Sequence, residues 1–134
     1  MKNFKLITQE DPMGCGVACV ASLIGISYEE AQKFFKENHS VTRGYYLKEI
    51  LEALSRKNLN YKFRKITDKT KKFISKKGSI VFIKRSKKYL SGHYLLKTSK
   101  GWMNPWANYP KINPAQAGFN KRLPGEAQWI IYEG

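Results

Sequence analysis

Acidic residues are scarce in this 134-residue chain, which has 25 Lys and Arg against 10 Asp and Glu and a formal net charge of +15. It also has no long apolar run, because the longest candidate, residues 17–26, is interrupted by Ser22 and Gly25. A membrane-spanning helix needs about 20 apolar residues, and the first five residues lack the apolar stretch of a secretory signal. We therefore expect a soluble, cytoplasmic protein without a membrane span.

Cysteine and histidine are equally rare, with two residues of each. Cys15 and Cys19 are too few for a disulfide framework, and with His39 and His93 they show none of the paired spacings of a zinc site. We expect reduced thiols, no metal and no cofactor. Because no internal repeat or low-complexity linker interrupts the chain, a single domain over residues 1–134 is predicted.

The positive charge is concentrated in one segment. Residues 53–125 contain nineteen Lys and Arg and a single acidic residue, Asp68, whereas residues 1–52 have a net charge of −1. Such a segment can attract nucleic acid, a membrane surface or an acidic protein. The alternative is an ordinary solvated face, since Lys outnumbers Arg twenty to five and charge alone does not set a function.

The hydrophobic pattern predicts helices first and strands afterwards. Helices are expected over about 14–23, ended by Gly25, over 28–37, opened by a capping box of Ser27 and Glu30, and over about 45–57. Strands are expected over 61–66, 79–83, 93–98, 102–103 and 128–132, with a short basic helix within 69–77. This order is typical of the α+β class, in contrast to an alternating parallel sheet.

Cys15 is the candidate nucleophile. It lies in the first turn of the first predicted helix, where the helix dipole and unpaired N–H groups favour a thiolate, so the pKa of its thiol is expected to fall. Gly14 and Gly16 flank it, keep the sulfur approachable and allow a substrate backbone to come close. Cys19 lies one turn further into an apolar helix and is predicted to be a buried core residue.

His93 is the candidate acid/base partner. It begins a predicted strand directly after Gly92 and a loop over 86–92, so it is held on one side and open on the other, as a catalytic imidazole requires. The alternative is a buried core histidine, which the presence of Cys15 at a helix start disfavours. His39 lies in a loop without such a frame and is predicted to be a surface residue.

Four short stretches resemble the papain-like cysteine peptidases, and among these the bacteriocin-processing peptidases that cut leaders after a double glycine. They are Gln9, the run Cys15-Gly-Val-Ala-Cys19, the run Gly-His93-Tyr, and Asn104-Pro105, which together span most of the chain from residue 9 to about 106. The resemblance implies a papain-like fold in which N-terminal helices, with the nucleophile at a helix start, pack on a C-terminal antiparallel sheet.

The resemblance also implies a role for each residue. Cys15 would be the nucleophile and His93 the general base and acid, while Asn104 would orient the imidazole. Gln9 would donate its amide to the oxyanion together with the Cys15 backbone N–H. Substrate contacts are expected at Gly14, Gly16, Gly92 and Trp106.

The sequence departs from the bacteriocin-processing branch at three points. Asn104 stands where that branch usually has Asp, although papain itself uses Asn, and Gly14 replaces a common acidic residue. Those peptidases are usually fused to a membrane transporter, whereas this chain has no spanning helix and no phosphate-binding loop. The double-glycine specificity therefore carries over only weakly.

Two further segments have alternative interpretations. The aromatic, proline-rich residues 102–110 either line a substrate groove, with Trp106 as a contact, or cover the sheet edge. The basic cluster at Lys84, Arg85, Lys87 and Lys88 either guides an acidic substrate towards His93 or is a solvated loop.

Three hypotheses for the function follow. The first is a thiol hydrolase that cleaves a peptide or protein substrate, acidic substrates included, through an acyl-enzyme; a toxin or effector could use the same site for deamidation or transfer. The second is a basic nucleic-acid-binding protein or nuclease, motivated by the charge of residues 53–125 but without a recognised nucleic-acid motif. The third is a non-catalytic peptide-binding domain, which the retention of both Cys15 and His93 disfavours.

Overall fold

Helices precede strands along the chain, as the α+β pattern predicts. A computed structural model describes residues 4–36, 38–40, 43–108 and 115–134. Among these residues, the helices are α1 (Cys15–Ile24), α2 (Tyr28–Gln32), α3 (Leu47–Ser55) and a 3₁₀ helix (Lys71–Ser75). The strands are β1 (Tyr61–Lys65), β2 (Ile80–Ile83), β3 (His93–Thr98), β4 (Gly101–Asn104), β5 (Gly118–Asn120) and β6 (Ala127–Glu133). None of these helices has the length and apolarity needed to cross a bilayer.

The described strands form one six-stranded sheet in the order β1-β6-β2-β3-β4-β5. Every neighbouring pair in it is antiparallel. Strand β3 lies inside the sheet, and α1 packs against it. The predicted fold class, N-terminal helices on a C-terminal antiparallel sheet, is therefore confirmed, and the packing of α1 on β3 sets the start of the first helix beside the start of this strand.

Both faces of the sheet are covered, which holds β3 in a fixed position. Along β2, Ile80 and Phe82 pack with the helices, whereas Val81 and Ile83 belong to a second apolar cluster on the opposite face. Phe73 of the 3₁₀ helix covers that second face and stacks on Tyr132 with ring centroids 4.2 Å apart. Each fully buried aliphatic side chain contributes about 1.5–3 kcal/mol relative to an exposed one.

The predicted ends of α1 and the start of α2 are confirmed. Gly25 closes α1 in the left-handed conformation (φ 88°), and its N–H donates to the Ala21 carbonyl. At the start of α2, the Ser27 hydroxyl accepts the Glu30 N–H at 3.1 Å, and the Glu30 carboxylate accepts the Ser27 N–H at 3.2 Å. This reciprocal pair is the capping box that the spacing of the two residues predicts.

The predicted length of the second helix is wrong. It ends at Gln32, and the chain continues through tighter turns in which Phe34 N–H and Phe35 N–H each donate to a carbonyl three residues earlier. This turn buries Phe35, whose ring packs on Tyr45 with centroids 4.3 Å apart. Packing of that aromatic pair therefore overrides helix continuation; Glu37, the predicted end, lies outside the described residues.

The third helix is shorter at both ends than the predicted range of about 45–57. Tyr46 keeps an extended backbone (ψ 161°) ahead of it, and its N–H donates to the Glu49 carboxylate at 2.8 Å. Strand β5 was not predicted, because three residues leave too short a pattern to detect. The basic stretch predicted as a short helix forms the 3₁₀ helix instead of an α-helix.

Candidate active site

Cys15 is the first residue of α1 and lies at the wall of an open groove. Its residue surface is partly exposed, whereas Cys19, one turn deeper, is fully buried in the helix–sheet core. The structure therefore separates the two thiols as predicted: Cys19 is a small core residue, whereas Cys15 keeps part of its residue surface at the groove while its sulfur is largely desolvated.

Backbone N–H groups lie near the Cys15 sulfur. Those of Tyr94, Gly16 and Cys15 itself favour the thiolate and by themselves lower the pKa of the thiol. Burial opposes them and is the larger effect, so the pKa of Cys15 rises to about 11. The expectation of a lowered pKa is therefore wrong, because a position at a helix start does not reveal how deeply the sulfur is buried.

His93 and Asn104 form a buried hydrogen-bonded pair. His93 begins β3 and Asn104 ends the adjacent strand β4, which places His93 Nε2 2.7 Å from Asn104 Oδ1. The same oxygen accepts the Trp106 N–H at 3.0 Å, so it faces the ring as an acceptor. In a neutral imidazole Nε2 then carries the hydrogen, and Nδ1 is left as the acceptor.

Tyr89 is a part of this site that sequence reasoning missed. Its ring stacks on His93 with centroids 4.4 Å apart and an interplanar angle of 10°. The Tyr89 hydroxyl accepts the Asn104 Nδ2–H at 3.2 Å, and Tyr89 is only 2% exposed. The only signal in the sequence is one aromatic residue inside a basic loop, which is too common to mark a site.

Burial keeps the imidazole uncharged. It lowers the pKa of His93 to about 4, with the nearby Lys88 cation adding to the decrease and the Asn104 hydrogen bond opposing it. At neutral pH the resting site therefore contains a thiol and a neutral imidazole. This is the protonation state in which the ring can accept a proton.

The four residues predicted to be catalytic lie around one place in the structure. The backbone N–H of Tyr94, the residue after His93, lies near the Cys15 sulfur and lowers the pKa of its thiol. The backbone N–H of Gln9 donates to the carbonyl of Pro105, the residue after Asn104, at 3.2 Å. Through these contacts α1, β3, β4 and the segment before α1 meet at a single site.

The Gln9 side chain is buried and fully engaged as a donor. Its Nε2 donates to the carbonyls of Asp11 and Pro12, both at 3.0 Å, and thereby braces the turn that leads into α1. Its Oε1 accepts no hydrogen bond from the described residues. Donation to an oxyanion therefore requires one of the two loop bonds to break.

Gly14 has a steric reason to be glycine. A Cβ at this position would lie 1.9 Å from the Tyr28 hydroxyl oxygen. That hydroxyl donates to Asp11 Oδ2 at 2.9 Å, and Gln32 donates to the same carboxylate oxygen at 3.1 Å. The space beside Gly14 is thus filled by Tyr28, and the acidic residue common at this position in the bacteriocin-processing branch would not fit.

The groove beside Cys15, called the Cys15 groove below, has a volume of about 960 Å³. Its wall combines aromatic rings with cationic side chains, and Gly92 lies in its lining. Gly92 has a left-handed φ of 77°, and a Cβ there would meet the Phe82 ring at 2.2 Å. Glycine is therefore required where the chain enters β3 and leads into His93.

The other three predicted substrate contacts do not line this groove. Gly14 and Gly16 are buried, Gly14 against Tyr28 and Gly16 beside the Tyr94 ring. Trp106 is 8% exposed and supports Asn104 through its N–H. Their role as substrate contacts stays a prediction.

Two more predictions concern residues away from Cys15. The described part of the aromatic segment, 102–108, does not line the groove; Trp102 is buried in the second apolar cluster, and Tyr109 and Pro110 lie outside the described residues. His39 is only partly buried, with its Nε2 4.0 Å from a Glu49 carboxylate oxygen.

Among the described residues, no group of three or more His, Cys, Asp or Glu side chains could hold a metal ion.

The fold is that of the papain-like α+β class. A solved structure similar to this chain is the peptidase domain of Streptococcus ComA, a bi-functional ABC transporter involved in a quorum sensing pathway. The two share 20% sequence identity over 97% of each chain, with a TM-score of 0.60. No protein-family model and no curated protein matches the chain, so the similarity that the sequence suggested is confirmed at the level of the fold.

Replacing Gly14 tests the packing in front of the nucleophile. Gly14→Ala should lower the free energy of unfolding by about 1–3 kcal/mol, because the new methyl group overlaps the Tyr28 hydroxyl. Tyr28→Phe removes that oxygen, so the double variant should lose less stability than the two single variants together. Urea unfolding of all four proteins gives the comparison, and strict additivity would show that the two residues do not clash.

The pH dependence of alkylation tests the protonation state of the resting site. With the pKa of Cys15 at about 11, the thiolate fraction and hence the rate with iodoacetamide should rise about tenfold per pH unit between pH 7 and 10. Mass mapping should find Cys15 modified before Cys19 throughout, with Cys15→Ala as the control. A rate that already reaches its plateau below pH 7 would instead indicate a preformed thiolate–imidazolium pair.

Proposed function

We propose that this protein is a cysteine peptidase-type hydrolase that cleaves an amide bond through Cys15, His93 and Asn104. The observation that carries the proposal is the hydrogen-bonded His93–Asn104 pair. The next residue in the chain, Tyr94, has its backbone N–H near the Cys15 sulfur. A nucleophile, a base and a group that orients the base are the minimum set for acyl transfer by a thiol. The similarity to a peptidase domain supports the same reaction class.

In the first half of the reaction, Nδ1 of neutral His93 accepts the Cys15 thiol proton while the sulfur attacks the substrate carbonyl carbon. An S–C bond forms, and the carbonyl oxygen becomes an oxyanion next to the Cys15 N–H. When this intermediate collapses, the C–N bond breaks and His93 returns the proton to the leaving amine. The product is an acyl-enzyme on Cys15 with His93 again neutral.

In the second half, His93 accepts a proton from water, which attacks the thioester carbonyl. Collapse of the second intermediate breaks the S–C bond, releases the carboxylic acid and returns the proton to the sulfur. Asn104 keeps Nε2 occupied in both halves, so that Nδ1 is always the nitrogen that exchanges the proton. No cofactor enters either step.

The uncharged resting pair makes proton transfer a step of the reaction. Burial that raises the pKa of Cys15 and lowers that of His93 keeps both groups neutral until a substrate is bound. The developing oxyanion then meets the Cys15 backbone N–H, a preorganised donor of the kind that reduces such a barrier. Gln9 adds a further donor once one of its loop bonds opens.

We propose that residues 1–134 form one papain-like domain that acts on peptides or proteins in the cytoplasm. The same acyl-enzyme could deliver its acyl group to an amine, or form on a glutamine side chain and result in deamidation. The alternative of a nucleic-acid-binding protein or nuclease is supported only by the net charge of residues 53–125.

Digestion of a peptide mixture tests the proposed activity, because a mixture offers many amide bonds at once and no particular substrate has to be chosen. The wild-type protein and Cys15→Ala are incubated with the same mixture, and new peptide ends are identified by mass spectrometry. Wild type should produce new ends that Cys15→Ala does not, since the variant keeps the fold but loses the sulfur. New ends formed equally by both proteins would contradict the nucleophile assignment.

The order of importance within the site is a second expectation. For one substrate at fixed pH, we expect turnover to fall least for Asn104→Ala, more for Gln9→Ala, at about 100- to 1,000-fold, and most for His93→Ala. Asn104→Asp should stay active, because a carboxylate accepts the same Nε2–H and the Tyr89 hydroxyl can donate to it.

Asn104→Asp should also shift the pH profile of turnover, because a negative charge beside the ring raises the pKa of His93. Turnover is measured for the four variants between pH 4 and 9. An inactive Asn104→Asp beside an active Asn104→Ala would contradict the orienting role of Asn104.

A further inference from the structure

Unpaired positive charge is concentrated in the Cys15 groove. Lys48, Lys84 and Arg85 line it with exposed side chains, and no ion pair between described residues includes them. A fourth lining cation, Arg43, is balanced by Glu49, with which it makes two hydrogen bonds of 2.9 and 3.0 Å. No Asp or Glu among the described residues lines the groove, so a bound molecule meets positive charge without a neutralising partner.

The same groove presents apolar rings beside these cations. Phe63, Phe82 and Trp129 line it and are only partly buried, and the Phe63 and Trp129 rings make an edge contact at 5.9 Å. Aromatic surface next to unpaired cations is complementary to a chain that alternates apolar and acidic side chains.

The position of two of the cations links them to the catalytic residues. Lys84 and Arg85 directly follow β2, at the start of the loop that returns through Tyr89 and Gly92 to His93. The Glu126 backbone carbonyl accepts the Lys84 N–H at 2.8 Å. No ion pair between described residues joins the Glu126 carboxylate to Lys84 or Arg85. The start of the loop therefore places Lys84 and Arg85 in the lining of the groove, whereas Tyr89 further along packs on His93.

We propose that the Cys15 groove selects peptides with acidic side chains. An Asp or Glu carboxylate binds at Lys84 and Arg85 through charge-assisted hydrogen bonds, while a neighbouring apolar side chain packs on Phe82 and Trp129. This inference rests on the proposed peptidase function and adds the substrate class to it. A basic peptide binds less well because of repulsion, since the groove offers it no carboxylate from the described residues.

A peptide fits this charge pattern better than a nucleic acid does. Of the nineteen cations in residues 53–125, only Lys84 and Arg85 are among the described residues that line the groove. Single-stranded nucleic acid is bound by a continuous positive track along its backbone, whereas three separate cations around an aromatic wall suit individual carboxylates.

The test uses three peptidyl vinyl sulfones of identical length. They differ only at two positions, both of which are Glu in the first probe, Gln in the second and Lys in the third. The rate at which each labels Cys15 is measured by intact mass, at low and high salt. We expect the Glu probe to react about tenfold faster than the Gln probe and the Lys probe to react slowest, with the differences shrinking as salt screens the charges.

Two variants with the same loss of charge locate the effect. In Lys84→Gln/Arg85→Gln the ratio of the Glu to the Gln rate should fall close to one, whereas in Lys76→Gln/Lys77→Gln, which are exposed and outside the groove, it should stay at the wild-type value. The ratio within one protein cancels any change in the reactivity of the thiol itself.

Each contrary result has a distinct meaning. Equal Glu and Gln rates in wild type, or an equal drop of the ratio in both double variants, would overturn the acidic preference and leave the proposed function standing. No labelling by any probe, although iodoacetamide still modifies Cys15, would overturn the peptidase proposal. Protection of Cys15 by a single-stranded oligonucleotide, together with equal probe rates, would favour nucleic acid as the ligand.

Discussion

The 2.7 Å hydrogen bond between His93 Nε2 and Asn104 Oδ1 joins the start of β3 to the end of β4 and gives the imidazole at the site its orientation. It sets the ring tautomer, and with the stacked Tyr89 it sets the plane of the ring. Asn104 is itself held by two further bonds, to Trp106 N–H and to the Tyr89 hydroxyl. The proposed role of His93 as a base requires this kind of support, because a small loss of orientation weakens proton transfer.

Cys15 lies between the packed helix–sheet core and the open groove. On one side, α1 packs on β3, and the turn before it is braced by Gln9 and filled by Tyr28 beside Gly14. On the other side is a groove whose wall is aromatic and cationic. Packing therefore fixes the position of Cys15, while the groove on its other side stays open.

The elements that carry strong local patterns were predictable from the sequence. The start of α1 at Cys15 and its end at Gly25 follow from local chemistry, as does the Ser27–Glu30 capping box. The length of α2 did not follow, because the Phe35–Tyr45 contact that ends it joins residues ten apart across a turn.

The residues of the site were only partly predictable, for the same reason. Cys15 and His93 could be singled out because their residue types are rare and their positions flank predicted elements. Tyr89 and Tyr28 could not, because their roles arise from contacts that only the folded chain creates. The direction of the Cys15 pKa was wrong because burial, which is a tertiary property, outweighs the local effect of the helix start.

The acyl-enzyme is the species that most directly distinguishes a cysteine peptidase from a protein that only has its fold. Intact-mass measurement of the protein, acid-quenched at short times during turnover of a cleaved peptide, would detect it. Catalysis through Cys15 predicts a transient adduct with the mass of the acyl fragment, which maps to Cys15 and is absent from Cys15→Ala. Turnover without any adduct on Cys15, or with the adduct on Cys19, would contradict the proposed mechanism.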